Sequence, residues 1–341
     1  MKPRGTGALF SRSAAFRHAG AHAQNAPSPF PPPSEFCSTA SATKINHPSK
    51  AVEKRHYFIP RFMTRSESRL FTIRRILAAV KSRQTAGALK LFPATVQGIK
   101  FGEDTVFPKL PNQPAKSVEE ENPLLAYFDA HVEGNGIWKW RHYFDIYHRH
   151  FKKFVGREVH IMEVGIYSGG SLTMWKKYFG PGCKVYGVDI EEACLSYQDD
   201  NTKVFIGDQA DRGFWARVRE AVPSLDILID DGGHHPEQQR ITLEEILPHL
   251  RAGGVYLCED IHGQNHLFAS YLQGLASNFN TMNWTNPPEN VNGLCTKTNS
   301  FQKSIHGVHF YPYAAVIEKR DAELQQLICP KHGTQWQPFV V

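Results

Sequence analysis

Short hydrophobic runs alternate with longer amphipathic segments through the second half of the chain. The strand-like runs are EVHIMEV (158–164), KVYGVDI (184–190), KVFIGD (203–208), LDILIDD (225–231) and GVYLCED (254–260). Helix-like segments separate them at 171–179 and near 211–221, 236–250 and 265–279. The last apolar stretch, GVHFYPYAAVIEKR (307–320), has the pattern of two adjacent strands. Strands that alternate with helices predict βαβ units, and hence a mainly parallel sheet with helices on both faces.

We therefore expect an α/β fold with a doubly wound, Rossmann-like sheet of seven strands. The terminal strand pair should supply an antiparallel edge strand, and an N-terminal extension should be helical or disordered. Residues 123–154, which contain IWKWRHYFDIYHRHF, are predicted to be helical and rich in aromatic packing. The domain is predicted to span residues 122–320, and residues 321–341 are interpreted as a C-terminal tail.

The first third of the chain differs in composition from the rest. Residues 1–62 are basic and rich in proline, serine and alanine, with no acidic residue before Glu35, which predicts a disordered leader. An organelle transit peptide within residues 1–50 and an over-extended start, with Met63 as the initiator, are the alternatives. Within residues 63–121, SESRLFTIRRILAAVKSR (66–83) is predicted to be a basic amphipathic helix followed by a linker.

Charge and cysteine content exclude several classes of protein. Residues 1–120 hold 19 Lys and Arg against 7 Asp and Glu, whereas the remaining 221 residues hold 20 against 26. An acidic domain is a poor electrostatic match for nucleic acid, so we expect a small-molecule partner instead. The six cysteines form no CxxC pair, which argues for a reducing compartment and against a disulfide framework or a zinc knuckle. No apolar run approaches the roughly 20 residues that span a bilayer, so no transmembrane segment is expected. A cytoplasmic location is the expectation, and a homo-oligomer is compatible with it.

Acidic residues and glycines follow the predicted strands, where ligands of such sheets bind. The first strand continues into GIYSGGS, whose glycines let the backbone approach a ligand. The second ends in Asp189, placed to accept the two ribose hydroxyls of a nucleoside, and the third leads to Asp208, placed to read an adenine amino group. The turn opens with Glu163 and lacks the GxGxxG of dinucleotide folds. An acid there favours the cationic amino group of S-adenosylmethionine over the pyrophosphate of NAD.

From Asn122 to Arg320 the chain resembles class I S-adenosylmethionine-dependent methyltransferases. More narrowly, it resembles the group of macrocin-type and mycinamicin-type sugar O-methyltransferases and proteins labelled cephalosporin hydroxylase. The motifs that carry the resemblance are IWKWRHYFDIY, EVGIYSGGSLTMW, VYGVDI, IGDQAD, IDDGGHH, GGVYLCEDIH and VHFYPYAAVIEK. The candidate cofactor-binding residues are Glu163, Gly165, Ser168, Gly169, Gly170, Ser171, Asp189, Asp208, Gln209 and Asp230.

The resemblance also implies a metal and a general base. Asp231, Glu259 and Asp260 match the ligands of a divalent cation, usually Mg²⁺, that holds the sugar hydroxyls beside the methyl donor. His234 matches the base, with His235 as the alternative. Three carboxylates converging in one cleft would repel each other strongly without a cation, and all-oxygen ligation favours Mg²⁺ over Zn²⁺.

The function that the sequence predicts is therefore metal-dependent O-methylation of a sugar or another small polar metabolite. Two alternatives stay open. One is a protein that binds S-adenosylmethionine without turnover, in which Asp230 and Asp231 only cap the helix that begins near Pro236. The other is a dehydrogenase or hydroxylase on the same type of sheet. Trp138 or Tyr143 could line the acceptor pocket.

Deletion of residues 1–62 should leave a folded protein that still binds S-adenosylmethionine, because their composition cannot build a hydrophobic core. Thermal unfolding of the full-length and shortened proteins should give nearly equal midpoints. A large drop in the midpoint would show that the leader packs on the domain, contrary to the prediction.

Overall fold

The computed structural model describes residues 83–106, 121–263 and 266–334. The chain divides into two compact units, Met1–Pro108 and Lys109–Val341. The described part of the first unit is the helix α1 (Arg83–Asp104), which contains Pro93 and whose side chains from residue 91 onward are exposed. Residues 1–62 and all but the last residue of the predicted helix 66–83 lie outside the described residues. No helix in the described ranges is long and apolar enough to cross a membrane.

The second unit is built on a seven-stranded sheet in the order β3-β2-β1-β4-β5-β9-β8. Strands β1 to β5 are parallel, and β9 runs antiparallel between β5 and the edge strand β8. The predicted fold class is confirmed. The antiparallel strand is β9, which lies next to the edge strand β8 and not at the edge itself. The strands of this sheet are β1 (Val159–Val164), β2 (Cys183–Asp189), β3 (Thr202–Ile206), β4 (Leu225–Asp230), β5 (Leu250–Cys258), β8 (Ile305–Tyr311) and β9 (Ala314–Lys319).

Helices cover both faces of the sheet, as the alternating pattern predicts. Short 3₁₀ turns at Lys152–Phe154, Glu192–Tyr197 and Ser277–Asn280 connect some of them. The helices of this unit are α2 (Pro123–Ala130), α3 (Tyr143–Phe151), α4 (Gly170–Phe179), α5 (Arg212–Ala221), α6 (Pro236–Ile246), α7 (Leu267–Ala276) and α8 (Ser300–Ser304).

A second, three-stranded sheet consists of β6 (Trp284–Thr285), β7 (Gly293–Lys297) and β10 (Gln326–Pro330), in the order β10-β7-β6. The pairing of β10 with β7 is antiparallel and brings Ile328 opposite Cys295. The predicted C-terminal tail, residues 321–341, therefore contains the strand β10. The strands β6 and β7 carry little apolar alternation from which they could be predicted.

Alternate residues of the central strands face two separate hydrophobic layers. Ile161, Ile227 and Val255 pack with the buried aromatics of α3 and α4, including Trp175. The intervening positions, such as Leu228, pack with α5, α6 and α7 on the other face. This period of two decides to which side of the sheet each acidic residue at a strand end projects.

The prediction of continuous helix over residues 123–154 is wrong in its middle. Helix α2 begins after the cap Asn122, whose side chain accepts hydrogen bonds from two backbone amides, and ends at Ala130. Residues 131–142 are irregular, and Gly134 lies at a φ of 92°, which an α-helix cannot accommodate. The chain re-enters a helix at Tyr143, so the segment 131–142 is free to cross the end of the sheet.

Candidate active site

A cavity of about 710 Å³ lies at the carboxyl ends of β1, β2, β4 and β5. The register aligns these ends, since Val164 of β1 lies opposite both Val188 of β2 and Asp230 of β4, and Asp230 lies opposite Cys258 of β5. Segment 131–142 contributes residues 136–141 to the wall. The cavity is therefore the place to which parallel sheets direct their ligands.

Three buried or largely buried acids project into one end of this cavity. Glu163 follows Ile161, Asp231 follows Ile229, and Glu259 follows Leu257, each at a spacing of two. Alternation along a strand puts these acids on the same side of the sheet as the core of α3 and α4. Glu163 and Glu259 are completely buried.

The ammonium group of Lys139 lies between all three carboxylates. Its Nζ atom is 2.7 Å from Asp231 Oδ2, 2.9 Å from Glu163 Oε1 and 3.2 Å from Glu259 Oε1, and the side chain is 4% exposed. A protein cation thus stands beside two of the three predicted metal ligands. No sequence pattern singles out Lys139, which lies between Trp138 and Trp140 and far before the acids that it contacts.

Burial and charge act in opposite directions on this group. Burial lowers the pKa of the Lys139 ammonium, but Asp231, Glu163 and Glu259 together raise that pKa well above its usual value. Burial raises the pKa of Glu259 and of Asp231, and repulsion from neighbouring carboxylates raises both further, whereas the Lys139 ammonium lowers them. Three ionised carboxylates would exceed the single positive charge of this ammonium.

Segment 131–142 reaches the cluster because the glycine turn after β1 leaves room for it. A Cβ atom on Gly170 would lie 2.2 Å from the carbonyl oxygen of Asn135 and 2.5 Å from that of Gly136. Only glycine allows this approach, so Gly170 serves the packing of the segment and does not line the cavity. Gly165 has a φ of 80° and lies against the backbone of Asp231.

Aromatic groups surround the acids at the end of β5. Tyr147 donates a hydrogen bond of 2.6 Å to Glu259 Oε1. The Tyr143 hydroxyl donates a hydrogen bond of 2.9 Å to Asp260 Oδ1 and accepts a hydrogen bond of 3.1 Å from the Asp260 amide. The Trp140 indole donates a hydrogen bond of 3.0 Å to the same Oδ1 atom. Burial raises the pKa of both tyrosines, so they remain donors at neutral pH. Part of the predicted aromatic packing therefore orients the acids of β5.

The residues predicted to bind the nucleoside lie on the β1–β3 side of the cavity. Asp189 lines it and accepts backbone hydrogen bonds of 3.0 Å from Tyr167 and from Glu191. Ser168, Ser171 and Asp208 also line it, and the Ser171 hydroxyl donates a hydrogen bond of 2.6 Å to Glu163 Oε2. Gly169 does not line the cavity; a Cβ atom on it would lie 2.8 Å from the ring of Tyr197.

Asp230 does not reach the cavity, which corrects its predicted contact with the cofactor. Its position in β4 turns it to the face of α5–α7, where it is buried and accepts hydrogen bonds from Gln209 and Tyr256. Burial raises the pKa of Asp230 to about 6. Gln209 does line the cavity, but its amide nitrogen donates to Asp230 and Thr242 and its oxygen accepts from the Gly233 amide. Both residues thus shape the loop after β4.

The two adjacent histidines of this loop have different positions. His235 caps α6 in a reciprocal arrangement with Gln238. His234 lines the cavity at a φ of 55°, its Nε2 atom lies 3.7 Å from Asp260 Oδ2, and its buried Nδ1 atom has no hydrogen bond within the described structure. Asp260 also has a positive φ, of 53°. Such conformations are costly and are concentrated at functional sites.

Donor atoms of Asp231, His234 and Asp260 lie within 4.8 Å of one another, a grouping that could hold a metal ion. Glu259 is not in this grouping, and its carboxylate is engaged by Lys139 and Tyr147. The structure therefore keeps two of the three predicted ligands together with the predicted base and separates the third.

Comparison with known proteins places the chain near enzymes that methylate hydroxyl groups. It is 38% identical over 132 residues to demethylmacrocin O-methyltransferase of Streptomyces fradiae, a match of 36% of this chain and 33% of that protein. It is 30% identical over 205 residues to a rhamnosyl tetracenomycin-C 3'-O-methyltransferase of Streptomyces olivaceus, covering 54% of this chain and 50% of that protein. The chain thus spans half or less of the length of these curated relatives. No protein-family model matches it.

Among solved structures, the chain is similar to the MycE methyltransferase of the mycinamycin biosynthetic pathway in complex with Mg and SAH. That similarity has a TM-score of 0.46 and 26% identity, and it covers 58% of this chain and 54% of the other. The curated relatives confirm the predicted resemblance to sugar O-methyltransferases of the macrocin and mycinamicin group.

Replacement of Lys139 by methionine should destabilise the fold by about 3–5 kcal/mol at pH 8, because buried carboxylates lose their cation. The loss should be smaller at pH 5. Burial already raises the folded-state pKa of Glu259 and Asp231, and removal of the Lys139 charge, which lowers both, should raise them further. The folded variant should therefore bind more protons than its unfolded state, and its stability should fall as the pH rises. Urea unfolding at both pH values, with chelator present, measures both effects.

The matched control is Lys176→Met, which removes an ion pair with Asp199 that is partly exposed. An exposed pair contributes less than about 1 kcal/mol, and its loss should not depend on pH in this range. If Lys139→Met behaved like this control, the cluster would not depend on Lys139 for its stability.

Proposed function

We propose that this protein transfers the methyl group of S-adenosylmethionine to a hydroxyl group of a sugar or another small polar metabolite. One observation carries the proposal. A single cavity has Asp189, which we assign to the ribose, among its lining residues together with Asp231, Asp260 and His234, which we assign to the hydroxyl acceptor. The similarity to curated O-methyltransferases supports the same activity.

The donor half of the site follows from the chemistry of S-adenosylmethionine. The carboxylate of Asp189 is held by two backbone amides, so it can accept hydrogen bonds from both ribose hydroxyls without reorganising. Asp208 is placed beyond it for the adenine amino group. Glu163 supplies a buried negative charge near the turn, where the cationic amino group of the methyl donor would lie.

The acceptor half is built from Asp231, Asp260 and His234. Two carboxylates and a neighbouring imidazole fit a divalent cation such as Mg²⁺, which binds one or two protein carboxylates and takes its remaining oxygens from water and substrate. When bound, such an ion would lower the pKa of the acceptor hydroxyl. Glu259 is proposed as the anchor of Lys139 instead of a direct ligand.

His234 is proposed as the general base. Its ring lines the cavity, its Nδ1 atom has no hydrogen-bond partner among the described residues, and its Nε2 atom lies 3.7 Å from Asp260 Oδ2, so we assign to it the removal of the proton from the acceptor hydroxyl. The deprotonated oxygen then attacks the sulfonium methyl in line, and the site contributes mainly by holding the two reactants together.

The position of Lys139 favours a second candidate, methyl transfer without a metal. Its ammonium is already 2.7 Å from Asp231 and could orient the acceptor through that carboxylate. Transfer assays with Mg²⁺ and with chelator, over a panel of nucleotide sugars and glycosylated metabolites, distinguish the two mechanisms. Activity that survives chelation would favour the second.

Asp189→Ala should weaken the binding of S-adenosylmethionine by on the order of 1–3 kcal/mol, because charge-assisted hydrogen bonds to the ribose are lost. Titration calorimetry measures the change directly. Asp199→Ala, at an exposed turn between β2 and β3, is the control and should bind the donor like the wild type. Equal affinity of Asp189→Ala and wild type, or tight binding of NAD by the wild type, would contradict the proposed donor.

His234→Ala should reduce the transfer rate by about 10²–10⁴, the usual contribution of a general base, while donor affinity is unchanged. His235→Ala is the matched control, since it alters only the cap of α6. Mg²⁺ should raise the thermal midpoint of the wild type and of His234→Ala but not of Asp231→Asn. If His235→Ala were the slower variant, the base would be His235, the alternative left open by the sequence.

A further inference from the structure

A second group of metal-binding side chains lies at the edge of the sheet, away from the cavity. His150 near the end of α3, His309 on β8 and Glu318 on β9 have ligand atoms within 4.8 Å of one another. His150 Nδ1 is 3.3 Å from Glu318 Oε1, and His309 Nε2 is 3.1 Å from Glu318 Oε2. Helix α3 and the β8–β9 hairpin, which are distant from each other in sequence, therefore bring two imidazoles and a carboxylate together.

The three residues are close enough to share one ion, although the two histidines contact different oxygens of Glu318. In a tetrahedron with bonds of about 2.0–2.1 Å, which zinc forms with histidine and carboxylate, the ligand atoms are roughly 3.3 Å apart. Two histidines and one carboxylate are also the ligand set of catalytic zinc sites, which keep a fourth position for water. His309 is 40% exposed, so the fourth position would face solvent.

Outer hydrogen bonds already orient the group for such an ion. His150 is 4% exposed, and its Nε2 atom lies 2.8 Å from the hydroxyl of Tyr311, so its Nδ1 atom faces Glu318. Ligating histidines commonly use their second nitrogen in this way. The hydrogen bond with His150 and the positive charges nearby, including Lys153, lower the pKa of Glu318 to about 2, so the carboxylate is ionised at neutral pH.

We propose that His150, His309 and Glu318 bind a divalent transition-metal ion of the zinc type, at a site separate from the Asp231 cavity. The ion would tie the C-terminal end of α3 to β8 and β9. The other end of α3 carries Tyr143 and Tyr147, which hold the acids after β5. The bound ion, with water in its fourth position, would thereby fix the helix that orients the acids of the cavity.

Lys153 is the main competitor for the ion. Its ammonium lies 3.6 Å from Glu318 Oε1, but its side chain is 40% exposed and can turn into solvent when a metal binds. Without metal, the same distances describe a network in which both imidazoles and Lys153 share Glu318. Histidine binds metal in its neutral form, so zinc affinity should increase from pH 6 to pH 8.

The test uses the full-length protein after dialysis against chelator, titrated with Zn²⁺ and followed by calorimetry and thermal unfolding. Zn²⁺ should raise the midpoint of the wild type and of Asp231→Asn by several degrees. His309→Ala and Glu318→Gln should lose at least about tenfold in zinc affinity and most of the midpoint shift. The matched control, His306→Ala, removes an exposed histidine from the same strand and should respond like the wild type.

The Asp231→Asn arm separates this site from the cavity, whose acids and His234 could also bind Zn²⁺. Co²⁺ substitution gives a second readout, because a tetrahedral site produces intense visible absorption that His309→Ala should abolish. If His309→Ala and the wild type responded equally to Zn²⁺, or if only Asp231→Asn lost the response, the proposal would be overturned. The cluster would then be an ion-pair network alone.

Discussion

The ammonium of Lys139, buried among Glu163, Asp231 and Glu259, is the interaction on which the arrangement of this domain depends. Strands β1, β4 and β5 must lie side by side to form the sheet, and each leads into an acid that projects to the same face. Without a positive charge between them, burial of these acids would be strongly unfavourable. The lysine offsets the repulsion among the acids at the ends of these strands, and the acids still line the cavity.

This requirement explains the path of the chain before β1. A helix through residues 131–142 would carry Lys139 away from the strand ends, whereas an irregular segment can cross them. Gly170 removes the Cβ atom that would block the segment, and α3 then places Tyr143 and Tyr147 behind the same acids. The neighbourhood of the acids is thus built from the segment before the sheet and not from the sheet alone.

Much of this architecture could be predicted from the sequence, because period-two alternation and glycine turns are local properties. The strand ends, Asp189 and the loop with His234 lie where the pattern places them. The same alternation also distinguishes Asp231 from Asp230 by parity, since Asp231 continues the series of Ile227 and Ile229 and Asp230 does not. The motif IDDGGHH, which carries part of the resemblance, contains both acids and does not by itself show this difference.

The cation of the cluster could not be predicted in the same way. Repulsion among converging carboxylates indicates that a positive charge is needed, but it does not say whether a metal or a side chain supplies it. Lys139 is about 20 residues or more before every acid that it contacts, so no local pattern links them. The sheet of β6, β7 and β10 was missed for a related reason, because its pairing joins residues near 295 and 328.

The charges at the acidic end of the cavity decide how a lysine and a metal can both be needed. Glu163, Asp231, Glu259 and Asp260 carry four negative charges when ionised, and Lys139 contributes one positive charge. Lys139 contacts three of these acids but not Asp260, which instead receives neutral donors from Trp140 and Tyr143. Asp260 is therefore the acid of this group that Lys139 does not contact, and it lies next to His234. A divalent cation between Asp231 and Asp260 and a positively charged methyl donor near Glu163 would together bring this end of the cavity to electrical neutrality when all four acids are ionised, so the buried lysine and a metal are compatible.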